Sequence, residues 1–292
     1  MYELIQVAEN TFYMDCPAKV GFYRIGGDEV VAIDSGSDKD AGKKVRRILD
    51  AQGWKLKAIY NTHSHADHIG GNQYLQAQTG CRIFAKGVEA AMAEYPVLEP
   101  ISLFAGNPMQ DLRNKFLMAK ESACEKLTED VLPVGMEMIP LPGHSMDMVG
   151  FRTADDVVFL ADCLSSAETL EKYRVGFLYD VRTYLETLEM VKTLKASYFV
   201  PAHAAAAEEM ASLAQLNIDA TLKNVDAIRE IVASPKSVDD VLACVFGRFG
   251  LAMNLQQNVL VGSTVRSYLS YLKDEGLADY FFENNRMLWK KI

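Results

Sequence analysis

All five histidines of this 292-residue chain fall into a pattern that could bind metal. Three of them stand in Thr62-His-Ser-His-Ala-Asp-His68, and His144 and His203 follow further along the chain. Histidines without a common role would scatter, so their concentration indicates chemistry. Imidazole nitrogens and carboxylate oxygens suit zinc, iron or manganese, and the pattern therefore predicts a metal site that needs no thiolate.

The elements around the histidine-rich run indicate how it is positioned. Residues 57–61 form a predicted short buried strand, and residues 70–75 are predicted to start a helix. Ligands at spacings of one and two residues cannot all point at one ion from a regular helix or strand. We therefore expect an irregular loop at the carboxyl end of the strand, and such a loop can supply two adjacent ions.

The run His63-x-His65-x-Asp67-His68 resembles the signature of the metallo-β-lactamase superfamily. The match continues in the family's order with Gly70-Gly71-Asn72, Leu141-Pro-Gly-His-Ser145, Leu160-Ala-Asp162 and Val200-Pro-Ala-His203. Agreement at several separated places is far more specific than any single motif. The resemblance covers about residues 1 to 205. The alanines that flank His203 depart from the glycine-rich surroundings common at the family's last ligand.

The resemblance implies an α/β (α+β) fold, a four-layer αββα sandwich with a helical C-terminal extension. It implies two divalent metal ions, zinc first and iron or manganese as alternatives. The implied ligands are His63, His65 and His144 for one ion, Asp67, His68 and His203 for the other, and Asp162 as a bridge. Two ions about 4 Å apart can share a hydroxide as nucleophile. Asp67 could also steer that hydroxide or accept its proton, whereas Asp34 is expected to support the metal loop without being a ligand.

The sequence predicts a catalytic domain over residues 1–205 and a helical, winged-helix-like region over residues 206–292. Residues 86–134 contain no expected ligand and many adaptable apolar side chains, which favours a lid-like helical insertion. Plain packing and a dimer contact are the alternatives for this segment. In the C-terminal region, a long helix over residues 204–234, a capped helix start at Ser237, a helix over residues 263–272 and a hairpin at Asn284-Asn285 are expected.

The loop after Asp162 contains Tyr173 and Arg174. A phenol or a guanidinium near two metals could stabilise a developing oxyanion or anchor a substrate carboxylate. We therefore include Tyr173 and Arg174 with Asp67 as candidate catalytic residues, with a purely structural role as the alternative.

Composition and charge are those of an ordinary soluble enzyme. Hydrophobic residues make up 49% of the chain, and the formal net charge of −9 disfavours nonspecific binding to nucleic acid. The chain has five cysteines in no paired spacing, which favours reduced thiols in a cytoplasm. No secretory signal and no apolar run of membrane-spanning length are expected.

Three functions are compatible with these patterns. The favoured one is a dinuclear metallo-hydrolase that uses the bridging hydroxide on a small ester, thioester or lactone-like substrate. The alternatives are a single-strand RNA or DNA endonuclease of the small β-lactamase-like type, and a non-catalytic metal-binding or regulatory protein. A one-iron enzyme resembling the persulfide dioxygenases is less favoured, because those sites leave part of the ligand set idle. A homodimer is compatible with all three.

Overall fold

The computed structural model describes residues 2–292. The strands are β1 (Glu3–Gln6), β2 (Thr11–Asp15), β3 (Val20–Gly26), β4 (Glu29–Ile33), β5 (Lys55–Tyr60), β6 (Arg82–Ala85), β7 (Glu125–Lys126), β8 (Glu137–Pro140), β9 (Val149–Arg152), β10 (Val157–Ser165), β11 (Tyr198–His203), β12 (Ala278–Glu283) and β13 (Arg286–Lys291). The α-helices are α1 (Lys39–Gln52), α2 (Ala66–Ile69), α3 (Asn72–Thr79), α4 (Gly87–Glu94), α5 (Leu98–Phe104), α6 (Ala167–Tyr173), α7 (Val181–Thr193), α8 (Ala211–Ile231), α9 (Val238–Phe249) and α10 (Leu255–Asp274).

Contacts divide the chain into two compact units. Unit 1 comprises Met1–Leu141, Met146–Leu164 and Leu194–Met210, and unit 2 comprises Pro142–Ser145, Ser165–Thr193 and Ala211–Ile292. Across residues 2–292, no helix combines the length and the apolar character needed to cross a membrane.

Unit 1 is built on two sheets. The larger sheet has seven strands in the order β1 to β7, antiparallel from β1 to β4 and parallel from β4 to β7. The smaller sheet has four strands in the order β11-β10-β9-β8. Strands β3 and β4, which the sequence predicts from their β-branched and aromatic residues, are joined by a turn at Gly27 and Asp28, and Gly26 and Gly27 both have positive φ.

The core of unit 1 lies between the two sheets and on the outer face of the larger one. Between the sheets, Tyr60 stacks on Phe84 with 5.2 Å between ring centroids and meets the edge of Phe151 at 6.0 Å. On the outer face, Val45 and Leu49 of α1 are buried in the cluster that contains strand residues of β2 to β6. Helix α1 begins where Asp38 accepts hydrogen bonds from the N–H groups of residues 40 and 41. The predicted α/β sandwich class is confirmed.

Unit 2 contains helices α6 to α10 and the β12–β13 hairpin. The helix predicted after Ser237 is α9, and Ser237 and Asp240 form a reciprocal capping box at its start. The hairpin turns at Asn284 and Asn285, whose φ values of 50° and 60° are the left-handed pair that a two-residue turn requires. The long helix predicted from residue 204 begins only at Ala211. Residues 204–210 are irregular, and Ala207 among them forms an isolated antiparallel bridge with Phe199 of β11 in unit 1.

Candidate metal centre

The histidine-rich run leaves the carboxyl end of β5, as the sequence predicts. His63 and His65 lie in irregular backbone, but Asp67 and His68 lie on the single helical turn α2. The expectation of an irregular loop throughout was therefore wrong for its second half. The backbone after α2 passes very close to residues 35–37, because a Cβ added at Gly70 would lie 2.2 Å from the Ser37 carbonyl oxygen. Glycine is required there for space.

Asp34 supports this run without pointing at the proposed ions. Its side chain is 2% exposed; Oδ1 accepts from the Thr62 N–H at 2.8 Å, and Oδ2 accepts from the Thr62 hydroxyl at 2.8 Å. Oδ2 also lies 2.8 Å from His68 Nδ1. Because a carboxylate only accepts, Nδ1 of His68 carries the hydrogen, and the lone pair of the neutral ring is on Nε2.

Four donors, which we call the second set, lie together in unit 1: Asp67, His68, Asp162 and His203, each with one ligand atom within 4.8 Å of the others. His68 Nε2 lies 2.9 Å from Asp162 Oδ1, and His203 Nε2 lies 3.2 Å from Asp162 Oδ2 and 3.3 Å from Asp67 Oδ2. Two imidazoles and two carboxylates at these distances are donors that suit a divalent ion of the zinc, iron or manganese type.

His203 ends β11, and the loop between β2 and β3 holds it in place. His203 Nδ1 donates to the Pro17 carbonyl at 2.8 Å, which leaves Nε2 for the second set. Lys19 Nζ donates to the carbonyl of Ala204 at 2.6 Å, and the Lys19 N–H donates to the carbonyl of Ala202 at 3.3 Å. These contacts explain how a histidine flanked by alanines keeps a defined backbone.

We call the predicted ligands His63, His65 and His144 the first set; His63 and His65 lie in unit 1. His63 Nε2 lies 3.0 Å from His65 Nδ1 and 4.0 Å from Asp162 Oδ2. The Thr62 hydroxyl hydrogen goes to Asp34, so its oxygen accepts from His63 Nδ1 at 3.0 Å and directs the His63 lone pair to Nε2. Asp162 thus lies near imidazoles of both sets: His63 of the first, and His68 and His203 of the second.

His144, the remaining predicted ligand, lies in the segment Pro142–Ser145, which belongs to unit 2. Within unit 2, the His144 carbonyl accepts from the Tyr179 N–H at 3.2 Å, and the His144 ring meets Phe177 edge-on with centroids 5.7 Å apart. Tyr173 and Arg174 are also in unit 2. Tyr173 is half-exposed, and the Arg174 guanidinium pairs with Glu171, so neither observation tests their predicted catalytic roles.

The acids dominate the electrostatics of the second set. Asp162 raises the pKa of His203 to about 10 against the opposing effect of burial. Burial by itself would lower the pKa of His68, but Asp162, Asp67 and Asp34 raise it well above the usual range. Burial likewise opposes ionisation of Asp67, yet His68 and His203 lower its pKa to about 2. The cluster therefore attracts cations strongly, whether protons or metal ions.

The donor chemistry fits a bound metal. His68 Nε2 is fully buried and makes no hydrogen bond within residues 2–292, although a carboxylate oxygen lies 2.9 Å away. A buried polar atom without a partner is costly, and in the neutral ring this Nε2 presents a lone pair that a metal ion would satisfy. The hydrogens on Nδ1 of His63, His68 and His203 are all engaged elsewhere, so each Nε2 is oriented as a ligand atom should be.

Two carboxylates near the ligand run were missed at the level of sequence. Glu99 of α5 places Oε1 3.6 Å from His65 Nε2, and Glu89 of α4 accepts hydrogen bonds from Ser64. Burial raises the pKa of Glu99, partly offset by His65. Both acids belong to residues 86–134, where only the apolar residues attracted attention. Nothing in their local sequence distinguishes them from surface glutamates.

A family model of the metallo-beta-lactamase superfamily matches residues 14–203. The chain belongs to this superfamily. The matched range begins in β2 and ends at His203, so it includes six of the seven predicted ligands in unit 1 and His144 from unit 2. The resemblance inferred from the separated motifs is confirmed.

Two curated relatives are similar to part of the chain. The chain is 32% identical over 121 residues to a "Hydroxyacylglutathione hydrolase" of Methylococcus capsulatus, covering 41% of this chain and 38% of that protein. It is 31% identical over 141 residues to one of Rhodopseudomonas palustris, covering 46% and 45%. The chain thus matches less than half the length of these relatives.

Two solved structures share the fold over most of the chain. A metallo-beta-lactamase family protein from Thermus thermophilus has a TM-score of 0.74 at 16% identity, covering 97% of this chain and 99% of its own. A beta-lactamase domain protein from Burkholderia ambifaria has a TM-score of 0.73 at 17% identity, covering 99% and 94%. At such identities the likeness shows the fold alone.

Proposed function

We propose that this chain is a dinuclear metal-dependent hydrolase of small thioesters, with esters and lactone-like compounds as related substrates. The observation that carries the proposal is the position of Asp162. Its Oδ1 lies 2.9 Å from His68 Nε2, while Oδ2 lies 3.2 Å from His203 Nε2 and 4.0 Å from His63 Nε2. A carboxylate that faces imidazoles of both sets is suited to bridge two ions. The hydrolase name of the curated relatives favours a thioester.

The proposed ligands are His63, His65, Asp67, His68, His144, Asp162 and His203, with His144 completing the first set. Two divalent ions bound there, zinc foremost, would polarise a substrate carbonyl and lower the pKa of a water molecule between them. Leu141 and Met146 flank the His144 segment in the chain, and both belong to unit 1. That proximity along the chain supports the role of His144.

Asp67 is proposed to be a catalytic residue as well as a metal ligand of the second set. Its side chain is 43% exposed, so it can contact a substrate or water as well as a metal. A pKa of about 2 makes it a weak general base near neutral pH, which favours binding and orientation over proton acceptance. Tyr173 and Arg174 stay proposed catalytic residues, which would stabilise a developing oxyanion or anchor a substrate carboxylate.

We also propose the catalytic domain over residues 1–205, with residues 86–134 as a lid-like insertion and 206–292 as a winged-helix-like region. Tyr95, Phe104, Met109 and Phe116 are exposed apolar residues of the insertion, which supports contact with a substrate or a second copy. The five cysteines are odd in number and have no paired spacing along the chain, which supports a reducing, cytoplasmic setting.

The test is metal analysis of the purified protein combined with an activity panel. The panel contains a 2-hydroxyacyl glutathione thioester, a simple aryl ester, a lactone and a single-stranded RNA oligonucleotide. We expect about two ions per chain and the highest kcat/KM on the thioester. Salt-sensitive cleavage of the RNA would instead establish a nuclease. Metal binding without turnover of any compound would establish a non-catalytic protein.

A further inference from the structure

Glu89 of α4 is a buried carboxylate in the segment that contributes no predicted ligand. It is 1% exposed, and both of its oxygens accept hydrogen bonds from backbone or side-chain donors. A charged side chain is rarely buried this completely unless its interactions require it.

One oxygen of Glu89 holds the turn between two ligands of the first set. Oε2 accepts from the Ser64 N–H at 2.9 Å and from the Ser64 hydroxyl at 2.6 Å. Ser64 stands between His63 and His65, whose ring nitrogens approach to 3.0 Å. Rotation of the Ser64 peptide would turn the two imidazoles apart, so the Glu89 contacts restrain the geometry on which the pair depends.

The other oxygen of Glu89 binds a second loop. Oε1 accepts from the Asp147 N–H at 3.1 Å, and Asp147 Oδ2 in turn accepts from the Val88 N–H at 3.0 Å. The Gly87 φ of +50° and the lack of a Cβ allow this approach, since a Cβ on Gly87 would lie 2.1 Å from Asp147 Oδ2. The start of α4 and the Asp147 loop therefore hold each other reciprocally.

We propose that Glu89 is a positioning residue that joins the His63–His65 turn to the loop ending at Asp147. This inference rests on the proposed metal centre. Asp147 follows His144 by three residues along the chain. Glu89 therefore contacts the segment that contains His63 and His65 and also a residue close in sequence to His144. The second set has different supports, Asp34 for His68 and the Pro17 carbonyl for His203. Loss of Glu89 therefore weakens metal binding at the first set and spares the second.

The variant Glu89→Gln keeps the size of the side chain and replaces one acceptor oxygen by an N–H₂ donor. The new amide nitrogen then faces an N–H of Ser64 or Asp147 donor to donor. The matched control is Glu94→Gln, an exposed position on the same helix. Zinc affinity is measured in all proteins by competition with a chromophoric chelator, which resolves two binding steps and needs no substrate.

We expect wild type and Glu94→Gln to bind two zinc ions alike, and Glu89→Gln to bind one of the two about 10- to 100-fold more weakly. Two double variants identify which of the two sets has lost zinc affinity. Added to His203→Ala, Glu89→Gln should weaken the remaining tight site, and added to His63→Ala it should change nothing. If Glu89→Gln fails to fold by circular dichroism, Ser64→Ala is used instead. It removes the 2.6 Å contact to Glu89 and a 3.3 Å contact to Met92 Sδ but keeps the Ser64 N–H contact, so it should give a smaller loss at the same site.

Unchanged zinc binding by Glu89→Gln, or equal weakening of both steps, would overturn the inference. The two proposals fail separately. If the wild-type protein binds two ions but cleaves no thioester, the proposed function is contradicted. The zinc titration still tests the role of Glu89 in that case, because it needs no substrate. A wild-type protein that binds fewer than two ions overturns both.

Discussion

Within unit 1, the second set and the His63–His65 pair of the first set are ordered by different means. In the second set, two carboxylates face two imidazoles, and the acids raise the pKa of His203 to about 10. In the first set, His63 and His65 face each other at 3.0 Å and receive their order from hydrogen bonds through Thr62 and Ser64. Charge therefore contributes more to the order of the second set, whereas the His63–His65 pair relies on hydrogen bonds that restrain its backbone. Their sensitivity to mutation, pH and chelation should differ accordingly.

The largest effect is expected where the two sets meet. Asp162→Ala removes the carboxylate that faces both, so zinc stoichiometry and thioester hydrolysis should both collapse. The loss should exceed the factor of about 10 to 100 typical of a residue that only holds a ligand. Zinc titration and kcat/KM on the same preparation measure it. Retention of two tight ions in Asp162→Ala would refute the bridging role.

Removal of the Asp34 carboxylate should weaken zinc binding mainly at the second set, whereas Glu89→Gln should weaken it at the first. Asp34→Ala leaves buried donors of Thr62 and His68 without their acceptor, at a cost of about 1–3 kcal/mol for each unsatisfied group. We expect a lower free energy of unfolding and the greater loss of zinc affinity at the second set. Urea unfolding and chelator competition measure these quantities, with exposed Asp40→Asn as the control. Greater loss at the first set would contradict the comparison.

The charge of the second set predicts a pH dependence of the metal-free protein. The pKa of His203 is raised from 6.5 to about 10, so protonated His203 stabilises the fold. That stability is fully present below about pH 6.5 and is lost as the pH rises toward 10. Urea unfolding of chelator-treated protein across this pH range should show the decline, and His203→Asn should reduce it. Zinc binding should release protons, which calorimetry in buffers of different ionisation enthalpy detects.

The smallest effect is expected at Lys19. Lys19→Met keeps the length of the side chain but removes the donor to the Ala204 carbonyl. One hydrogen bond of this kind contributes about 1 kcal/mol, so the free energy of unfolding should fall by about that amount. Zinc affinity of the second set should fall less than in Asp34→Ala. An affinity loss equal to that of Asp34→Ala would show that the loop after His203 matters more than the distances indicate.

Much of the fold was predictable because its signals are local. The capping box at Ser237 and the turn at Asn284-Asn285 depend on a few neighbouring residues, and both were found where expected. The prediction of a helix from residue 204 was wrong because Ala207 pairs with Phe199 of a neighbouring strand, a contact that composition does not reveal. Asp67 and His68 lie on one helical turn, and their side chains belong to a different donor cluster from that of His63 and His65.

The sequence by itself determined which atoms could bind metal, because the five histidines are few and chemically distinctive, and they stand with two aspartates in a family pattern. Only the tertiary structure decided what holds those atoms in place. Glu89 meets Ser64 across 25 residues and Asp147 across 58, and Glu99 meets His65 from a different helix. A glutamate is an ordinary surface residue until folding buries it. Its function then comes from distances between remote segments, which no local pattern encodes.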